Sequence, residues 1–231
     1  MVLRRPPFGN KVASAHDMGR EVRVLSKLSP VFPVAPKPLV FCEDESVMGA
    51  PFYVMQKMDG LILRKDLPAE LKGKPEIARA MCEALIDTLV DLHQVDYQAA
   101  GLADLGKPEG YVARQVKGWN ERYVKARTDD VPDAQSLMQW LADNQPPDSG
   151  RVAIIHNDYK FDNVVLNPNN YGQITGVLDW EMATLGDPLM ELGCSLAYWV
   201  QANDAPVMRI SRMMPTDAAG MMTREELLQR Y

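Results

Sequence analysis

VAIIHNDYKFDNVVLNPNNYGQITGVLDWE, residues 152–181, is the stretch that decides the fold. Its first four residues, Val152 to Ile155, form an apolar run that reads as a short buried strand. A polar loop follows, carrying His156, Asp158, Lys160, Asp162 and Asn163. Val164-Val165-Leu166 is a second apolar run, and Asn167 to Gly172 is dense turn punctuation. A third run, Ile174 to Leu178, ends on Asp179. Two strands joined by a tight turn return Asp179 to the side of Asn163, at the same end of the hairpin as the polar loop. One edge of the fold therefore collects two carboxylates, an amide, an ammonium and an imidazole.

Such a set suits phosphoryl chemistry. Asp179 and Asn163 offer hard oxygen donors, and Mg²⁺ takes few protein oxygens, completing its shell with water and phosphate. Asp158 can accept a proton from an attacking hydroxyl, and Lys160 can neutralise charge on a transferring phosphoryl group. Any one of these residues alone reads more simply as a turn former. The set of five, flanked by buried strands, reverses that preference.

The residues then carry a resemblance. His156 to Asn163, HNDYKFDN, fits H-x-D-x-x-x-x-N, the catalytic loop of aminoglycoside phosphotransferases and related small-molecule kinases. LDWE at 178–181 is similar to that family's metal-binding segment, where protein kinases carry D-F-G, and GDPLMELG at 186–193 resembles the helix start that follows. The chain also resembles the subgroup of kinase-like domains fused to some acyl-CoA dehydrogenases. The resemblance implies an α+β, protein-kinase-like fold of two lobes. Residues 1–55 would form a partial small β-rich lobe, 56–60 a hinge, and 61–231 a larger helical lobe. It implies ATP and Mg²⁺ as cofactors, with Asp158, Lys160 and His156 in the catalytic loop and Asn163 and Asp179 on the metal. Arg4, on the strand read over residues 1–5, takes the place of the basic residue that holds the nucleotide's phosphates, with Arg5 as the alternative. Glu21, on a helix read over Ala15 to Leu28 and capped by Ser14, is its expected partner. Backbone groups near Gln56 and Met58 would meet adenine. Asp187 resembles the aspartate that braces the catalytic loop, and His156 is expected to brace it too. The resemblance further implies a phosphate-covering hairpin before residue 1 and helices after residue 231, so the chain reads as truncated at both ends.

Elsewhere, strands are expected at Lys37–Cys42 and Pro51–Met55, separated by an acidic turn. Ile77, Met81, Leu85, Leu89 and Leu92 give one apolar helix face. Further helices are read at 111–127, 133–144 (capped by Asp133) and 189–200, and Thr223 to Glu226 is a capping box. His16 and His93 read as structural or surface residues. Trp119, Asn120, Glu121 and Tyr123 fall where an acceptor site is built, although packing explains the aromatics more simply.

The 231 residues are 46% hydrophobic and 24% charged, with net charge −6, ordinary for a globular chain and unfavourable to nucleic acid as main partner. Cys42, Cys82 and Cys194 lack metal-ligand spacing and read as free thiols of a reducing compartment, with cytoplasm as the expected location and no membrane partner. Trp180-Glu181 and the six residues before Pro188 leave no activation loop, which disfavours protein substrates. The acceptor expected is a small hydroxylated molecule: an aminoglycoside, a sugar-like metabolite or a hydroxyacyl thioester. Two other readings stay open, a non-catalytic kinase-like binding module or inactive fragment, and a metal-dependent hydrolase using His156, Asp158 and Asp162.

Overall fold

The computed structural model describes residues 1–7 and 17–231. Three strands, β1 (Val2–Arg4), β2 (Pro38–Cys42) and β3 (Phe52–Met55), form an antiparallel sheet in the order β1-β3-β2. Arg4 lies opposite Tyr53 in this ladder. Directly opposed residues share a face, so both point to the side covered by helix α1 (Met18–Leu28). Met18, Val24, Leu25 and Leu28 bury the inner face of α1, and Glu21 is buried among them. The helix starts later than the expected Ala15, with Asp17 accepting from the Arg20 N–H at 2.9 Å as its N-cap. The expected cap Ser14, and His16, lie outside the described residues. The acidic turn between β2 and β3 contains a single helical turn, α2 (Glu45–Met48). Asp44 caps its start and Gly49, at φ 74°, ends it.

The central helix is α3 (Pro75–His93), with Met81, Cys82, Leu85, Leu89 and Leu92 buried along one side. Its apolar stripe lies against the strands that follow, which is where helical periodicity meets the β-pattern of residues 152–178. The chain then forms α4 (Tyr111–Ala126) and α5 (Gln135–Asp143). Asp133 accepts from the Gln135 N–H, so it caps α5 from one residue further back than expected.

The decisive stretch folds as β4 (Ala153–Ile155), a 3₁₀ turn at Phe161–Asn163, and a hairpin of β5 (Val164–Asn167) and β6 (Asn170–Val177). Its turn is tighter than the sequence suggested: Asn167 already pairs with Asn170 around Pro168-Asn169. β7 (Thr184–Gly186) pairs with β4, and α6 (Pro188–Ala197) starts at Asp187, three residues shorter than expected at its C-terminus. Two short helices, α7 (Pro206–Ser211) and α8 (Arg224–Arg230), follow, the last with the expected Thr223–Glu226 capping box. No helix of the described residues is long and apolar enough to cross a membrane.

Candidate active site

The hairpin brings the two halves of the site together at its open end. The Leu178 N–H donates to the Asn163 carbonyl at 2.7 Å, so Asp179 emerges beside the 3₁₀ turn. Asp179 has φ 70°, a left-handed conformation that costs a non-glycine residue on the order of 1 kcal/mol and is tolerated where surrounding bonds fix it. His156 supplies one such bond. Fully buried, it sets Nε2 2.8 Å from the Leu178 carbonyl while its Nδ1 accepts from the Asp158 N–H at 3.3 Å. Those two partners require a neutral imidazole with its proton on Nε2, and burial pushes its pKa down accordingly. His156 thus ties loop 156–163 to segment 178–181, and it does not reach the open cleft. That is the bracing position also expected for it, away from the cleft that Asp158 and Lys160 line.

Asp158 sits at the floor of the cleft. Lys160 pairs with its Oδ1, and the Asn163 side-chain amide donates to its Oδ2 at 2.7 Å and to its carbonyl at 2.8 Å. Because both Asn163 bonds use the NH₂, its Oδ1 is left to face another ligand. Lys160 is nearly buried and lies 4.7 Å over the ring of Tyr198.

Across the site, Arg4 gathers three carboxylates. It lies 3.1 Å from Glu21, and its Nη2 donates to Asp179 at 2.5 Å and to Glu181 at 3.0 Å. Burial opposes the guanidinium charge, yet Glu21 and Asp179 outweigh it and hold the arginine more firmly protonated. Glu21 is only 1% exposed, and burial pushes its carboxyl up to about 7 against the pull of Arg4. The Arg4–Glu21 pair expected from the resemblance therefore exists in space. From α1, Arg20 donates to the backbone carbonyls of Glu181, at 2.9 Å, and of Ala183, fastening the helix to the segment after Asp179.

Three placements differ from the sequence reading. Asp187 caps α6 and accepts from the Ser149 N–H, while the loop's brace is Glu191, buried in α6, which accepts from the Asn157 N–H at 2.6 Å and meets His93 at 2.8 Å. Only the tertiary fold carries α6 under the loop; in sequence Glu191 is one more helical glutamate. Trp119 is 54% exposed rather than packed and lines the cleft, with Arg122 stacked 4.7 Å from its ring. Asn120 and Tyr123 instead bond to the Met138 and Pro132 carbonyls. At the 56–60 segment the Gln56 N–H already donates to Lys37, leaving its carbonyl as the group to offer a ligand. Met58 packs against Gly176, where a Cβ would approach it to 2.8 Å. Asp162 pairs with Arg64, away from Asp158, and no group of three or more metal-ligating side chains occurs among the described residues, so the hydrolase triad does not assemble.

The cleft in front of Asp158 encloses about 660 Å³ between α4, the catalytic loop and α6. A second, apolar cavity of about 470 Å³ adjoins it behind Met190, Cys194 and Ala197, walled by Val116, Trp140 and Leu189.

Compared with known proteins, residues 1–212 match the model of the phosphotransferase enzyme family. The chain belongs to the phosphotransferase enzyme family. Chicken (Gallus gallus) acyl-CoA dehydrogenase family member 11 is 41% identical over 202 residues, 86% of this chain. The chain spans about a quarter of the length of that relative, 25%. A solved protein of Ralstonia eutropha JMP134, assigned to the aminoglycoside phosphotransferases, is 32% identical and superposes with a TM-score of 0.78 over 94% of this chain and 65% of its own. The streptomycin–ATP ternary complex of an aminoglycoside 2″-phosphotransferase shares the fold at 16% identity, with a TM-score of 0.57 over 92% of this chain and 65% of that one. The α+β, kinase-like architecture of this phosphotransferase family is therefore established for the chain.

Proposed function

We propose that this phosphotransferase-family chain moves the γ-phosphoryl group of ATP to a hydroxyl of a small molecule. The observation that carries the reading is the convergence of Asp158, Asn163, Asp179 and Arg4 at the open end of one hairpin, each fixed by bonds to the others or to the backbone around them. Asp158 faces the cleft and takes the proton of the incoming alcohol as its oxygen bonds to phosphorus. Lys160 stands beside it to meet negative charge on the phosphoryl oxygens. Asn163 Oδ1 and the Asp179 carboxylate are hard oxygens left at the rim, a donor set that fits Mg²⁺. Mg²⁺ bound there would neutralise charge between the β- and γ-phosphates. Arg4, held by Glu21, faces the α- and β-phosphates, and residues 56–60 serve as the hinge between a small lobe, 1–55, and a large one, 61–231. The Gln56 carbonyl and the Met58 N–H are the adenine contacts. Complexes of structural neighbours with ATP in one case and GDP in another support a nucleotide as the donor.

Calorimetry tests the reading. ATP should bind the chain with Mg²⁺ and lose that dependence in Asp179→Ala. Mg²⁺-dependent binding of undiminished strength in the variant would sink it.

A further inference from the structure

The charge around the acceptor cleft is opposite in sign to the chain as a whole. The protein carries a net −6, yet the charged side chains lining this cleft are Lys107, Arg114, Arg122 and Lys160 against the single carboxylate Asp158. Lys160 is committed to Asp158. The other three are exposed, and among the described residues none has a carboxylate partner within ion-pair distance. Arg114 donates only to the carbonyls of Glu109 and Lys107, which orient the guanidinium and leave its charge uncompensated. Arg122 lies over the Trp119 ring at 4.7 Å, a cation–π contact that holds a guanidinium while leaving N–H groups for an anion. The acidic residues of the same helix region, Glu109 and Glu121, do not line the cleft. A concave wall of one sign concentrates ligands of the other and repels its own.

We infer that the acceptor is an alcohol carrying an anionic group, a carboxylate or a phosphate, which Arg122 and Arg114 on α4 bind while its hydroxyl lies at Asp158. Polycationic acceptors are excluded by the same side chains, since like charges placed together are the cheapest way to reject a ligand. The inference rests on the phosphotransferase reading for the position of the hydroxyl. The sign of the cleft stands without it.

The test uses two scaffolds, each in an anionic, a neutral and a cationic form: glucuronate, glucose and glucosamine, and glycerol 3-phosphate, glycerol and serinol, with streptomycin as a polycation. Ligand-observed NMR with the chain and a Mg²⁺–ATP analogue reads binding, and mass spectrometry after incubation with Mg²⁺–ATP reads transfer. At least one anion should bind about tenfold more tightly than its neutral and cationic counterparts, and raising the salt should erode that preference. Arg122→Glu should reduce the ratio by about tenfold, with a circular-dichroism melt to show that the variant folds. Glucuronate leading points to a carboxylate, and glycerol 3-phosphate to a phosphate. Equal binding across both scaffolds, preference for a cation, or a ratio unchanged in Arg122→Glu overturns the inference. Anion preference without transfer upholds the anion site on α4 and counts against the phosphotransferase reading, and with it against the bound alcohol as acceptor.

Discussion

Glu21 shows how a single buried carboxyl couples stability to the site. Its folded pKa, about 7, lies above its ordinary value of 4.5 because burial outweighs Arg4. Between those two values the folded chain holds more protons than the unfolded chain, so stability falls as pH rises through that window and levels off above about 7. The shift corresponds to on the order of 3 kcal/mol at most. Urea melts at pH 5 and pH 7.5 should show a fall in wild type that is flattened in Glu21→Gln; an equal fall in both would assign it elsewhere. His156 has the opposite sign, since its depressed pKa makes stability decline as pH drops below about 6.5. Asp158 carries the chemical prediction. Asp158→Asn should lower phosphoryl transfer to the best acceptor by about 10²–10⁴-fold, read as initial rate, while Mg²⁺-dependent ATP binding persists.

Among the elements, α6 and the β5–β6 hairpin set the geometry. Glu191 joins α6 to the loop through Asn157 and to α3 through His93. Glu191→Ala strands a buried N–H and an imidazole, and should cost about 2–4 kcal/mol in equilibrium unfolding, with Glu191→Gln recovering part of it. Gly60, at φ 156°, passes so close to β5 that a Cβ would meet the Leu166 carbonyl at 2.3 Å. Gly60→Ala should destabilise by about 1–3 kcal/mol and weaken ATP binding as the 56–60 segment shifts. The same elements mark what could be read from the chain alone. The hairpin was legible because its partners lie within thirty residues and apolar runs alternate with turn residues. Asp158, Asn163 and Asp179 stood out through local spacing. Glu191, Arg20 and the exposed face of Trp119 did not, because each acts on a neighbour distant in sequence: Arg20 grips carbonyls 161 and 163 positions away. The family resemblance pointed to Asp187 as the brace, while the carboxylate that bonds the loop's backbone, Glu191, sits one turn further along the helix.

At the scale of the whole molecule, the N-terminal sheet and helix share one apolar core with the helical body, and Arg4 and Arg20 add polar ties across the junction. A ligand held by both parts should stabilise their association. Mg²⁺–ATP at about a hundred times its Kd should add about 2.7 kcal/mol, seen as a raised Tm in wild type and missing from Asp179→Ala. An upward shift of the same size in the variant would separate nucleotide binding from Asp179. The clasp of Arg4 on Asp179 and Glu181 has a further consequence. A single guanidinium of the protein itself stands between the two rim carboxylates and offsets part of their charge. On the proposed reading, loading the site would be an exchange of counterions: a divalent ion held by Asp179 would take the place of the guanidinium there, and Arg4 would turn to the phosphates.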